Sequence, residues 1–119
     1  MSKIQKFEDL ICWQKARLIV KDIYTLTSND MFKKDFALKE QIRRAGISIV
    51  LNIAEGFGRQ SHKEFIRFLF ISHGSIAEVQ TALYLALDLN YLSQEKFQKI
   101  YNDCTEISRI ISGLIKSLS

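Results

Sequence analysis

Apolar residues along this chain recur at the spacing of α-helices, in four runs separated by short polar breaks. In the first run Leu10, Trp13, Ala16, Val20, Tyr24 and Thr27 return every three or four residues and define one face. The run stops at Ser28-Asn29-Asp30, whose short polar side chains compete for the backbone and favour a turn. The second run opens behind Asp35, a suitable N-terminal cap, and sets Leu38, Ile42, Ala45, Ile49, Ile53 and Phe57 on one face. Gly56 and Gly58 bracket its end and predict a left-handed cap there. Ser61-His62-Lys63-Glu64 has the form of a capping box, in which serine accepts from the backbone and glutamate reaches back. It opens a third helix with Phe65, Phe68, Leu69, Ser72, Ile76, Val79, Leu83, Ala86 and Leu87 inward, ending at Asn90. Ser93 caps a fourth, with Glu95 in the first turn where the helix dipole favours negative charge. There Phe97, Ile100, Tyr101, Cys104, Ile107, Ile111, Ile115 and Leu118 make one stripe. The predicted helices span roughly residues 10–28, 36–57, 62–89 and 94–118. Three short connections between long helices imply antiparallel neighbours, so the fold class is all-α, a single up-down-up-down four-helix bundle over residues 1–119.

Helix 2 carries more apolar surface than a bundle needs. Ile47, Val50, Leu51 and Ala54 lie outside its core face, and its one consistently polar strip is Arg44, Ser48, Asn52, Glu55 and Arg59. About two-thirds of the circumference is then apolar, against little more than a third for an ordinary surface helix. Helix 3 has a second strip of Ile66, Phe70, Ala77 and Tyr84, and Gly74 sits mid-helix at a cost of about 1 kcal/mol unless close approach offsets it. One account is crowding within a single bundle, with loops folding over the flank; the sharper one, since monomers rarely expose large contiguous apolar patches, is that Ile47, Val50, Leu51, Ala54, Ile66 and Phe70 bury a subunit interface.

The absence of proline and a scatter of only five glycines agree with long helices. No signal-peptide run and no apolar stretch of about 18 residues is present, so a cytoplasmic protein without membrane contact is expected. Cys12 and Cys104 sit inside helical patterns and read as buried free thiols. No metal or cofactor is expected. Neither His62 nor His73 completes the Glu-x-x-His spacing of di-iron bundles, and Gly56-Phe57-Gly58 lacks the strand and later glycine of a dinucleotide loop. Ser61, Ser72 and Ser75 near the histidines read as ordinary polar residues, and no catalytic residue is assigned.

The run Arg44-Ala45-Gly46-Ile47-Ser48-Ile49-Val50-Leu51-Asn52-Ile53-Ala54-Glu55-Gly56-Phe57-Gly58-Arg59 closely resembles the signature of the 23S ribosomal RNA intervening-sequence proteins, a four-helix bundle family. Phe7-Glu8-Asp9-Leu10 followed by Trp13-Gln14-Lys15-Ala16 resembles that family's opening. Glu64-Phe65-Ile66-Arg67-Phe68-Leu69 and Gly74-Ser75 with Glu78 resemble its third helix. One departure is Lys33 after Phe32, where members often carry proline. The resemblance implies a bacterial protein forming a ring-like homo-oligomer, a pentamer above all, as in the related accessory proteins of diversity-generating retroelements. It also makes Trp13, Gln14, Asn52, Glu55 and Gly56 signature positions; antiparallel pairing predicts that Asn52 hydrogen-bonds near Gln14 while Glu55 pairs with Arg59 or with a nearby backbone group.

The net charge of +4 is unevenly spread. Between residues 31 and 60, Lys33, Lys34, Lys39, Arg43, Arg44 and Arg59 face only Asp35, Glu40 and Glu55. Antiparallel helices gather Arg59, Lys63 and Arg67 with Lys3 and Lys6 at one end, and Lys33, Lys34, Lys39 and Arg43 near Lys96 and Lys99 at the other. Both clusters are candidate RNA contacts, since phosphate binding follows charge density. No aromatic stacking platform is expected among them. The alternative is a scaffold that presents its surface to a protein partner, as an accessory subunit of a nucleic-acid enzyme such as a reverse transcriptase.

Overall fold

The computed structural model describes residues 4–119, so the expected contribution of Lys3 lies outside the described residues. Four helices form, α1 (Ile11–Thr27), α2 (Phe36–Gly58), α3 (His62–Asp88) and α4 (Gln94–Leu118). Each boundary falls within a residue of its predicted position. Two 3-10 turns, Phe7–Asp9 before α1 and Phe32–Lys34 before α2, were not anticipated.

The caps explain the sharp N-termini. Asp35 accepts from the Leu38 amide at 3.0 Å, Ser61 from Glu64 at 3.3 Å and Ser93 from Lys96 at 3.1 Å. The capping box of α3 closes on one side only, because the Glu64 carboxylate is taken by Arg67 and Arg59. The expected glycine cap of α2 is corrected as well. No glycine has positive φ; the chain turns at Gln60, φ 56°, and α3 ends beside Asn90, φ 62°.

Cross-helix pairs run in opposite senses along every neighbouring pair of helices, which makes the bundle antiparallel. Arg43 and Gly46 of α2 meet Thr27 and Ile23 of α1, and Ser48 and Ile49 meet Ser75 and Ser72 of α3. His73 and Gln80 of α3 meet Ser108 and Thr105 of α4, and Lys15 and Asp22 of α1 meet Glu106 and Lys99. Each helix therefore touches two others around one core of Ile19, Ile23, Ile42, Ile49, Ile53, Leu69, Ile76, Leu83, Ile107 and Ile111, with Phe32 buried as a plug at one end. Burial of each contributes about 1.5–3 kcal/mol.

The inward face of α1 differs from the predicted one. Cys12, Ala16, Ile19, Ile23, Leu26 and Thr27 are buried, whereas Trp13 and Val20 are half-buried and Tyr24 is 40% exposed. Both faces have helical period, and the more aliphatic one turns inward while the polar tips of Trp13 and Tyr24 stay nearer to water.

Two glycines permit close approach. A Cβ on Gly56 would lie 2.7 Å from Cβ of Phe68 and 3.3 Å from the Phe65 carbonyl oxygen; one on Gly46 would meet Ile23 Cδ1 at 2.8 Å. Gly74 is different, since nothing stands within 4 Å of a Cβ placed there. Gly56→Ala should therefore destabilise by about 1–3 kcal/mol, while Gly74→Ala should stabilise by about 0.5–1 kcal/mol. Urea unfolding of both variants checks this, and a destabilising Gly74→Ala would mean that another surface packs closely on α3 there.

Both cysteines are free and buried. Burial pushes the Cys12 thiol up to about 11 and that of Cys104 to about 12, from 9.0. The folded chain thus holds the proton that the unfolded chain releases above pH 9, so this contribution to stability is complete below pH 9 and lost as pH rises beyond it. Iodoacetamide at pH 8 should leave the native thiols untouched and label both in urea, and the urea midpoint should fall above pH 9. Rapid labelling of native protein would contradict this burial.

Candidate nucleic-acid interface

Antiparallel register delivers the basic residues to the two ends of the bundle as expected, but their surroundings differ. At the α2–α3 turn, Arg59 bonds Glu55 at 2.8 Å and approaches Glu64 at 3.6 Å. Arg67 makes two 3.1 Å hydrogen bonds to Glu64. The two guanidinium groups also lie over the ring of Phe68, at 5.0 and 4.4 Å from its centroid. Hydrogen bonds from Arg67 above all, and then the charges of Arg67, Arg59 and Lys63, hold the Glu64 carboxyl below its usual value. Exposed pairs of this kind add little stability. They do neutralise the site, leaving Lys63 as the member of the predicted trio without a carboxylate within 4.0 Å among the described residues.

The opposite end is less compensated. Lys33 pairs loosely with Asp30 at 3.4 Å, and Lys39 Nζ donates to the Lys33 carbonyl at 3.3 Å. Asp35 is committed to capping Leu38 and to accepting from the Tyr91 hydroxyl at 2.9 Å. Arg43 donates to Thr27 Oγ1 at 2.8 Å and more distantly to Ser28 Oγ. Neither Lys34, Lys39 nor Arg43 has a carboxylate within 4.0 Å among the described residues. Lys99, expected to join this end, instead pairs with Asp103 at 2.8 Å and Asp22 at 3.4 Å across α1 and α4.

Two aromatic rings stand beside these cations. Lys39 Nζ lies 4.3 Å from the centroid of the Phe36 ring, and the Arg43 guanidinium 4.2 Å from that of Tyr24. Phe36 is 71% exposed. The Phe36–Lys39 pair, three residues apart at the start of a helix, was legible in the sequence; Tyr24 was hidden because its period placed it in the core.

The signature residues fix geometry. Asn52 is half-buried, but its partner is not near Gln14: Nδ2 donates to the Ser48 carbonyl at 2.8 Å and to Ser48 Oγ at 3.0 Å. Ser48 Oγ accepts from Ser75 of α3 at 2.9 Å, and Ser72 Oγ donates to the Ile49 carbonyl at 2.9 Å. Asn52 thus lies on the α3 flank of α2, turned away from α1. Gln14 instead donates to the Glu8 carbonyl at 2.8 Å, and Trp13 packs on Phe7 at 5.1 Å between centroids, so both pin the N-terminal turn to α1. Glu55 pairs with Arg59 as predicted.

The predicted interface residues occupy two strips on different flanks. Ile47, Val50 and Ala54 continue the row of Arg43, which faces α1, and are half-buried. Leu51 is 62% exposed. Ile66 and Phe70 share a row with His73 and Tyr84, which bonds and stacks on α4; Phe70 is 59% exposed.

His73 Nε2 lies 2.7 Å from Ser108 Oγ and 3.3 Å from Ser112 Oγ, a pairing not foreseen, while Ser72 and Ser75 are turned to α2. A serine–histidine nucleophile needs a third group to orient the ring, and His73 has no carboxylate partner among the described residues. Among the described residues, three His, Cys, Asp or Glu side chains do not converge there as a metal site, and no helix is long and apolar enough to cross a membrane.

Fold and site together define a small antiparallel helical bundle with charged ends. The sequence profile of the 23S rRNA-intervening sequence protein family matches residues 8–113. The chain belongs to that family. A solved structure of a protein of unknown function from the S23 ribosomal protein family of Bacteroides thetaiotaomicron is similar to it, at 31% identity and a TM-score of 0.81 over 89% of this chain and 99% of the other. No curated protein matches the chain.

Proposed function

We propose that this protein is a non-catalytic, self-associating bundle of the bacterial cytoplasm that binds RNA, or nucleic acid more broadly, through the end formed by Lys33, Lys34, Lys39 and Arg43. The observation that carries this reading is the difference in charge balance between the two ends. Arg59 and Arg67 are answered by Glu55 and Glu64, whereas Lys34, Lys39 and Arg43 have no carboxylate within 4.0 Å among the described residues. An uncompensated cation attracts phosphate and releases counterions when it binds; a paired one must first break its pair.

Self-association is supported by the two apolar strips. They lie on different flanks, as a head-to-tail contact requires when α2 of one protomer meets α3 of the next, and such contacts form a ring when the rotation between protomers closes. Five subunits is the number the family resemblance implies. A protein partner, such as a nucleic-acid enzyme, is the second reading; it is favoured by the groove of Ala37, Leu38, Leu85 and Leu89 rimmed by Asp35 and Asp88.

Retention of RNA measured over a range of salt tests the binding. Lys34→Ala with Lys39→Ala should flatten the dependence of log affinity on log salt by about 0.7–0.9 per cation removed, with less effect from Arg59→Ala. Binding absent at low salt would leave the scaffold reading in front.

Light scattering tests the assembly. Leu51→Glu or Ile47→Glu should give smaller particles while circular dichroism stays helical. A wild type that is monomeric at micromolar concentration would exclude the ring.

A further inference from the structure

We infer that Phe36 and Tyr24, with the cations that cover them, form a stacking platform for unpaired nucleotides of a single strand. This rests on the nucleic-acid reading above and narrows it to one kind of ligand.

Phe36 is the first residue of α2, and the helix does not need it. Asp35 supplies the cap and Leu38 the first inward contact, yet a phenylalanine stands there 71% exposed. Lys39 Nζ sits 4.3 Å from its ring centre and is steadied by the Lys33 carbonyl. One turn further, Arg43 covers the Tyr24 ring at 4.2 Å and is held by Thr27 Oγ1, which is itself fully buried. Two aromatic rings, each with a cation fixed beside it, thus stand along one flank. Phe36 and Arg43 are separated by about 10 Å along the helix, the axial rise of about three nucleotides in a stacked strand. Lys34 continues the positive charge into the turn before α2.

The carboxylates nearest in sequence are turned elsewhere. Asp35 bonds Tyr91, Glu40 pairs with Arg44, and Asp22 pairs with Lys99 on α4. A base offers an aromatic face to Phe36 and, on the same nucleotide, a phosphate to Lys34, Lys39 or Arg43. In a duplex the base faces are already stacked on each other, so the platform selects nucleotides that are unpaired. An acidic peptide would satisfy the cations and leave the ring of Phe36 in water.

The test is fluorescence anisotropy with a labelled oligouridylate of about 12 nucleotides, within the site sizes of single-strand binders, and an RNA duplex of equal length. Wild type, Phe36→Leu and Phe36→Trp are compared at two salt concentrations, with circular dichroism confirming the fold. Phe36→Leu keeps apolar bulk but removes the π face, and should weaken the single strand roughly tenfold. Duplex binding and the salt slope should stay unchanged, and Phe36→Trp should bind the single strand at least as well as wild type. Equal affinity of wild type and Phe36→Leu for the single strand, with a normal salt slope, would overturn stacking and leave the cationic reading standing. The same holds if polyglutamate competes as well as the oligonucleotide. Failure of the wild type to bind either nucleic acid at low salt would overturn both. A single-stranded DNA of matching sequence should bind comparably, because nothing on the platform reads the ribose hydroxyl; strong preference for RNA would contradict a platform built on stacking and charge alone.

Discussion

The arrangement depends on how closely α2 and α3 approach. Large side chains would hold two helices well apart; here Gly56, Ser48, Ser72 and Ser75 let them meet. The Gly56 site has no room for a Cβ, and the serines spend their hydroxyls on the facing helix, one on a backbone carbonyl and one on another hydroxyl. Hydrogen bonds of this kind have one register in which they can form, whereas aliphatic contact tolerates sliding. Once that register is fixed, Phe65 must sit opposite Gly56, and Arg59 must meet Glu64 across the turn. The signature run of α2 is therefore first a packing device, and the charges of the α2–α3 end follow from it.

The same register separates the two ends chemically. At the α2–α3 turn the chain reverses tightly, so residues of both helices are neighbours and the local sequence supplies its own counter-charges, Glu55 and Glu64. At the opposite end α1 reaches α2 through a longer connection whose buried anchor is Phe32, and the carboxylates there are drawn into structure: Asp35 to the helix cap and Tyr91, Asp22 to Lys99. Cations that look alike in the sequence thus meet different counter-charges in space.

Most of the architecture was legible along the chain, because α2, α3 and α4 each start on a side-chain cap and each of their inward stripes has a single dominant period. Helix α1 was misread for a physical reason. Opposite its polar strip of Gln14, Lys15, Arg17, Lys21 and Asp22 it carries a broad apolar arc, so period alone offers two faces, one of Trp13, Val20 and Tyr24 and one of Ile19, Ile23 and Leu26. Choosing between them needs the knowledge that Arg43 of α2 seats on Tyr24 and that the Cβ-free position of Gly46 receives Ile23. Asn52 was misplaced in its direction around α2, where it lies on the flank toward α3 and bonds Ser48. The glycine cap failed because Gly56 serves packing, which left the left-handed turn to Gln60. The charge clusters were found by counting, but which of them is neutralised depends on contacts across helices that no count reveals.

Along α2 the flank that faces α1 changes character at a single point. From Phe36 to Arg43 it alternates ring and cation; from Ile47 to Ala54 it is aliphatic. Ile47, Val50 and Ala54 are only half-buried on that flank, so it keeps apolar surface that its own bundle does not fully cover. If the aliphatic half meets a neighbouring protomer, the aromatic half is left at the rim of that contact, once per subunit and always on the same side. Weak sites repeated around a ring act together on one strand, because binding at the first raises the effective concentration at the next. Assembly and nucleic-acid binding would then be two uses of one helix flank, divided at the step from Arg43 to Ile47.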